Sequence, residues 1–253
     1  MRLRIAHLYP RLMNIYGDRG NIACLTHRCR AREIEVEVTE LGLGDPFGPA
    51  AHDLIFIGGA QDREQQRVAQ DLRSVKGAAL REAVEAGIVT LAVCGGYQLF
   101  GRVYRESSGA ELEGLAIFDL WTEHPGANAP RLIGNVVADL CPEPDEGWED
   151  GTLVGFENHG GRTYLGAGAQ PLARVRSGHG NNGKDGTEGA RYRNAFGTYL
   201  HGSLLPKNPR FADHLIELAL RRAHGDAVRL APIDDRIEDA AHQAALRLTA
   251  TRR

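Results

Sequence analysis

The stretch "IVTLAVCGGYQLFG", residues 88–101, decides how the rest of the chain is read. From Ile88 to Val93 the chain carries no charge, and the run stops at Cys94. A short apolar run bounded by turn residues suits a strand buried on both faces of a parallel sheet. Gly95 and Gly96 follow, and the pattern of a helix begins behind them. A strand that turns sharply into a helix at a nucleophilic residue is a nucleophile elbow. Such a turn strains the backbone at the nucleophile, so its neighbours must be small. The helix would aim its N-terminal partial positive charge at the sulfur and favour the thiolate. The N–H of Gly95 could then face a developing oxyanion. A cysteine merely packed in a sheet fits the same letters, so other residues must decide.

Two segments weigh toward the elbow. "DLIFIGGAQD" (53–62) is a second apolar run ending in paired glycines. Parallel strands end on one edge of a sheet, where ligands bind. Gly58 and Gly59 would therefore bring a second backbone N–H close to a substrate carbonyl. "AFGTYLHG" (195–202) reads as a strand that carries His201 to its end. A general base is needed to take a thiol proton and return it to a leaving amine.

Further outward, "LRIAHLYP" (3–10) and "EVEVTEL" (35–41) read as strands. "NIACLTHRCRAREI" (21–34) has helical spacing, with Asp18 as its cap. Residues 62–87 read as one or two helices, with a break at Gly77 and a C-cap at Gly87. This half alternates strand and helix, which implies an α/β fold with a parallel sheet flanked by helices. After residue 105 the rhythm changes to strands joined by loops, an added antiparallel or mixed layer. The glycine-rich stretch 178–194 reads as a mobile loop near the site. Helices are expected at 209–225 and 233–248.

The 253 residues carry a formal net charge of −3, so bulk electrostatics draws the chain to neither nucleic acid nor anionic membrane. The N-terminus reads as a strand and not as a signal peptide. No window approaches the roughly 18–20 apolar residues of a membrane span, so a cytoplasmic protein is expected. None of Cys24, Cys29, Cys94 and Cys141 stands in C-x-x-C spacing, which disfavours a zinc or redox site. Cys24 and Cys29 read as packing residues, and Cys141, before Pro142, as incidental.

The elbow "CGGYQLFG" and the segment "GTYLHG" resemble the signatures of class I glutamine amidotransferases, in the branch typified by cobyric acid synthase. Within it, "LYPRLMNIYGDRGNI" (8–22), "GGAQDREQ" (58–65) and "GFENHGGRT" (155–163) look most like the GatD group, the glutaminase subunits of lipid II isoglutaminyl synthase. The resemblance runs from about residue 3 to 222 and implies a mostly parallel, flavodoxin-like sheet flanked by helices, with extra antiparallel strands in the second half. It implies one amidotransferase domain, 1–225, with a helical extension, 226–253, packed on it.

The implied activity is hydrolysis of L-glutamine to glutamate and ammonia. A Mur-ligase-like partner, MurT, would use ATP and Mg to activate the α-carboxyl of D-glutamate in lipid II, and the ammonia would give D-isoglutamine. Such a pair acts at the inner membrane face through its lipid-linked substrate. The sequence holds no G-x-x-x-x-G-K-[ST], in line with ATP chemistry on the partner and no cofactor or metal here.

The resemblance assigns Cys94 as nucleophile, His201 as base, and the N–H groups of Gly59 and Gly95 as oxyanion donors. Gln98 would hold the substrate amide or the hole. Arg131 would bind the substrate carboxylate, since a guanidinium fork matches that group. Asn158, with Glu157 and His159, would contact the amino-acid end. Many relatives carry H-x-E, the glutamate orienting the histidine, but here Ser203 holds that place. A serine cannot supply the charge that stabilises imidazolium. The orienting acid is then Glu157 or another local acid, or comes from the partner, or the enzyme runs on a dyad. Two other readings stand beside this one. The first is an amidotransferase for cobyrinate-type or other cofactors, usually fused to an ATP-binding domain that this chain's opening strand gives no sign of. The second is a non-catalytic regulatory subunit, which would have no chemical reason to keep both Cys94 and His201.

Overall fold

The computed structural model describes residues 1–141 and 151–250. Pro142 and the last three residues of the expected extension lie outside them. The first half runs β1 (Arg2–Leu8), α1 (Arg19–Arg30), β2 (Glu35–Leu41), β3 (Leu54–Ile57), α2 (Asp62–Asp71), α3 (Gly77–Glu85), β4 (Val89–Val93) and α4 (Gly95–Phe100). The second half adds β5 (Val103–Arg105), β6 (Glu111–Glu113), β7 (Leu120–Glu123), β8 (Leu132–Leu140), β9 (Thr152–His159), β10 (Arg162–Leu165) and β11 (Ala173–Ser177). It closes with β12 (Thr187–Glu188), β13 (Ala190–Tyr192), β14 (Ala195–Thr198), α5 (Pro209–His224) and α6 (Arg236–Ala250).

The main sheet has the order β13-β14-β4-β3-β1-β2. Five of its strands are parallel and β13 alone runs antiparallel, on β14. Every residue of β3, β4 and β14 is buried, as an interior strand covered on both faces must be. β2 exposes Glu35 and Glu37 at the sheet edge, where charge discourages pairing with another chain. The registers Ile57↔Ala92 and Val93↔Thr198 bring the ends of β3, β4 and β14 level. The doubly wound α/β expectation therefore holds, and the two glycine-ended strands are neighbours. The extra layer is two four-stranded sheets, β10-β7-β5-β6 and β12-β11-β8-β9.

Three readings need correction. Residues 62–87 do not break at Gly77, because a π-helical turn, Leu72–Lys76, joins α2 to α3. A Cβ at Gly77 would lie 2.4 Å from the Leu72 carbonyl, so glycine is what lets that wide turn close. The stretch 178–194 is not a loose loop. Asn181 is fully buried, its side-chain amide accepts the Gly189 N–H at 3.0 Å and donates to the Gly189 carbonyl at 2.9 Å, and Asn182 accepts from Lys184 and Asp185 N–H. Asparagine side chains thus supply the backbone partners that a glycine-rich turn lacks. The strand before His201 ends early, at Thr198, and His201 instead bridges Phe156 of β9.

Gly87 does end α3, at φ +77 with its N–H on the Val84 carbonyl. At the other end of the chain, Arg28 of α1 binds Asp213 of α5 and Asp235 just before α6, both at 2.6 Å. That clamp seats the C-terminal helix, which packs on β8 and β9.

Candidate active site

Cys94 follows the last residue of β4 with φ 49 and ψ −103, a conformation L-residues rarely adopt. Its N–H donates to the Thr198 carbonyl at 2.8 Å, which ties the turn to β14. Gly96 N–H donates to the Gly58 carbonyl at 3.1 Å, which ties it to β3. A Cβ at Gly96 would meet that carbonyl at 2.9 Å, and one at Gly95 would meet the Ala60 nitrogen at 3.0 Å. The paired glycines are therefore demanded by close approach of two strand ends as well as by the turn.

His201 is fully buried, with its Nδ1 3.1 Å from Oδ1 of Asp18, also fully buried. A carboxylate only accepts, so Nδ1 carries the proton and Nε2 is the nitrogen left to face Cys94. Among the described residues Nε2 has no other hydrogen-bond partner. A Cβ on Gly59 would sit 2.8 Å from His201 Cε1 and 3.0 Å from Cys94 Cβ, so the cysteine and histidine side chains meet beside Gly59. Burial on its own lowers the His201 pKa, but the Cys94 sulfur and Asp18 outweigh it and raise it to about 10. The arrangement favours the imidazolium form of His201 beside the cysteine.

Asp18 is the residue that sequence reasoning misplaced. It stands at the start of α1 but makes no capping bond, and Asn14 Oδ1 takes the Arg19 N–H instead. Its carboxylate turns inward, Oδ1 to His201 and Oδ2 to the Gly59 N–H at 2.7 Å. An aspartate ahead of a helical run looks like a cap whatever it does, so only the placing of "NIYGDRG" within a matching segment hinted at more. Two expectations fall with this. The Gly59 N–H is spent on Asp18 and is not an oxyanion donor. The next backbone nitrogen, that of Ala60, lies close to Gly95, and Ala60 lines the cavity.

Glu157 is not the acid behind His201. It is fully buried, but its oxygens accept the N–H groups of His179 and Gly180 at 2.7 and 2.8 Å. Side chains alternate along β9, so Phe156 meets His201 while Glu157 points away. Ser203 does not stand in for an acid either. Its hydroxyl donates to the Gly17 carbonyl at 2.8 Å and so pins the loop that carries Asp18.

A cavity of about 310 Å³ opens beside Cys94, lined also by Tyr16, Ala60, Gln98, Arg131 and Asn158. Gln98 is locked, accepting from Gln65 at 2.8 Å and donating to the Tyr199 hydroxyl at 3.0 Å. It shapes the wall. Arg131 spends its Nε and one Nη2 proton on Asn158, each at 2.8 Å. The other edge of the guanidinium is left for an anion. His159 lies flat on Tyr199, ring centroids 3.6 Å apart, with Nδ1 on the Gly161 carbonyl, and burial lowers its pKa. His179 is exposed, and the cavity lining does not include it. Cys24 and Cys29 lie in α1, where burial pushes both thiols up to about 12, the inert form.

The parallel sheet with a strained cysteine at one strand end and a histidine at the next is the architecture of glutamine amidotransferases. A glutamine amidotransferase of Thermotoga maritima shares the fold at TM-score 0.53 and 15% identity, over 98% of this chain and 92% of that one. The chain belongs to the family of CobB/CobQ-like glutamine amidotransferase domains, whose pattern matches residues 4–209. Among curated relatives it is 43% identical over 220 residues to subunit GatD of lipid II isoglutaminyl synthase (glutamine-hydrolyzing) from Staphylococcus aureus strain N315, covering 87% of this chain and 85% of that one. The corresponding GatD subunit of Streptococcus pneumoniae R6 is 39% identical over 234 residues, 92% of this chain and 86% of that one.

Proposed function

We propose that this chain is the glutaminase subunit of a lipid II isoglutaminyl synthase. The observation that carries the chemistry is the line Cys94–His201–Asp18 at the wall of a cavity that also holds Arg131. Glutamine enters with its α-carboxylate on the free edge of Arg131 and its side-chain amide at Cys94. The thiolate attacks the amide carbon, and the oxyanion is received by the N–H groups of Gly95 and Ala60. His201 gives its Nε2 proton to the departing ammonia, leaving a thioester. His201 then takes a proton from water, which attacks the thioester and frees glutamate. Asp18 holds the tautomer and offsets the imidazolium charge throughout.

The partner assignment rests on the two GatD relatives, each a subunit of a glutamine-hydrolysing synthase and each matched over most of its length. On that reading the ammonia passes to a Mur-ligase-like MurT subunit, which activates the D-glutamate α-carboxyl of lipid II with ATP and Mg and yields D-isoglutamine. Among the described residues no helix is long and apolar enough to cross a membrane, so lipid II would be met through the partner. The test is ammonia release from L-glutamine by the chain, alone and with a candidate ligase, for the native protein and Cys94→Ala. Release that Cys94→Ala abolishes while the fold persists, with 6-diazo-5-oxo-L-norleucine labelling Cys94 and sparing Cys24, Cys29 and Cys141, is the expected result. Full activity in the variant overturns the mechanism.

A further inference from the structure

Tyr16 is a bulky residue in a left-handed conformation, φ 55 and ψ 25, two positions before Asp18. Such a backbone persists only where the surroundings over-determine it. Here three bonds hold the loop: Ile15 N–H to the Gly59 carbonyl at 3.1 Å, Arg19 N–H to Asn14 Oδ1 at 2.7 Å, and Ser203 hydroxyl to the Gly17 carbonyl at 2.8 Å. The result is that the Tyr16 ring stands edge-on over His201, centroids 5.1 Å apart, while remaining 41% exposed at the cavity. Its hydroxyl is 2.6 Å from Asn158 Nδ2.

The direction of that bond is fixed by chemistry. Arg131 can only donate, so the Asn158 oxygen must face its Nε, and the Asn158 amide nitrogen must face Tyr16. Tyr16 therefore accepts, Asn158 is locked in one orientation, and Asn158 in turn holds the guanidinium by its side-chain and backbone oxygens. Arg131 is itself exposed and has no other tether among the described residues. An exposed arginine on a flexible stem binds a carboxylate well only when it is already aimed.

We propose that Tyr16 is a positioning residue for substrate selection: through Asn158 its hydroxyl aims Arg131 at the α-carboxylate of glutamine, from the same loop that places Asp18 behind His201. The inference rests on the glutaminase reading and adds to it the element that makes the site prefer a free amino acid over a bare amide.

Tyr16→Phe keeps the ring over His201 and removes only the hydroxyl. Two rates are measured on the full chain: steady-state hydrolysis of L-glutamine, and alkylation of Cys94 by iodoacetamide, which has no carboxylate for Arg131 to hold. Loss of one aimed hydrogen bond predicts a KM for glutamine raised about ten-fold, with kcat nearly unchanged. Alkylation of Cys94 stays at the native rate, because the Cys94–His201 pair is untouched. Unchanged glutamine kinetics in Tyr16→Phe overturn the proposal, as does an equal fall in both rates, which would mean that Tyr16 only shields His201. A native chain that releases no ammonia from glutamine would instead defeat the glutaminase reading itself.

Discussion

Two buried charged clusters sit at opposite ends of α1, and they are built differently. Toward its C-terminus, Arg28 is almost fully buried and its guanidinium makes four bonds of 2.6–3.0 Å to Asp213 and Asp235, with Arg32 joining Asp213. Every strong donor in it is matched. Before the N-terminus, Asp18 and His201 are equally buried, yet among the described residues His201 Nε2 has no partner beyond the neighbouring cysteine, which lines a cavity. A closed cluster holds elements together. An open one keeps a valence for something that arrives later, and that is where chemistry is expected.

The strongest test of that contrast removes the open valence. His201→Ala should lower glutamine turnover by roughly 10²–10⁴-fold, the usual scale for a general acid–base group. A loss of only a few-fold would mean that the open nitrogen is idle.

Next in size is Asp18→Asn. It keeps the shape but removes the charge and the hold on the tautomer, and turnover should fall by up to about 10⁴-fold, the scale for an orienting aspartate in a Ser-His-Asp triad, without exceeding the loss of the imidazole itself. The pH profile gives a second reading. Asp18 helps raise His201 to about 10, so removing its charge lowers that pKa. Activity that needs the imidazolium should then decline at lower pH on the alkaline side than in the native chain. The raised pKa belongs to the folded state, so the stabilisation linked to it is complete below about 6.5 and is lost as pH rises through about 10. An alkaline limb that does not move in Asp18→Asn would separate Asp18 from His201.

The smallest effect on activity is expected at the closed cluster. Arg28→Ala leaves Asp213 and Asp235 facing each other, and both carboxylates are 24% exposed. Stability should drop by about 3 kcal/mol, the low end for breaking a buried pair, while turnover of the still-folded protein stays within about two-fold. Urea unfolding and glutaminase assays on one preparation check both. A large loss of turnover without loss of stability would make the two clusters alike after all.

Much of this was legible from local pattern. Uncharged runs ending in glycine pairs marked β3 and β4 and their common edge, since only strands covered on both faces tolerate such composition. "CGG" pointed to a strained turn, and Cys94 indeed has φ 49. The strand 35–41 also emerges with the bounds its alternation suggests. The misreadings share one feature: each turns on a specific side-chain or backbone partner that composition and spacing do not reveal. Glycine-rich 178–194 looked loose because its side-chain-to-backbone bonds cannot be seen in composition.

The sequence by itself determined the sheet, the sulfur and the histidine, because hydrophobic period and turn chemistry are local and cumulative. Only the tertiary structure chose the acid. Asp18 and His201 are 183 residues apart, and they meet because β1 and β14 lie in one sheet with β3 and β4 between them. Whether an aspartate caps its helix or turns inward is decided by what lies across the gap. Here that is the imidazole of His201 and the N–H of Gly59, two buried donors that one carboxylate satisfies together.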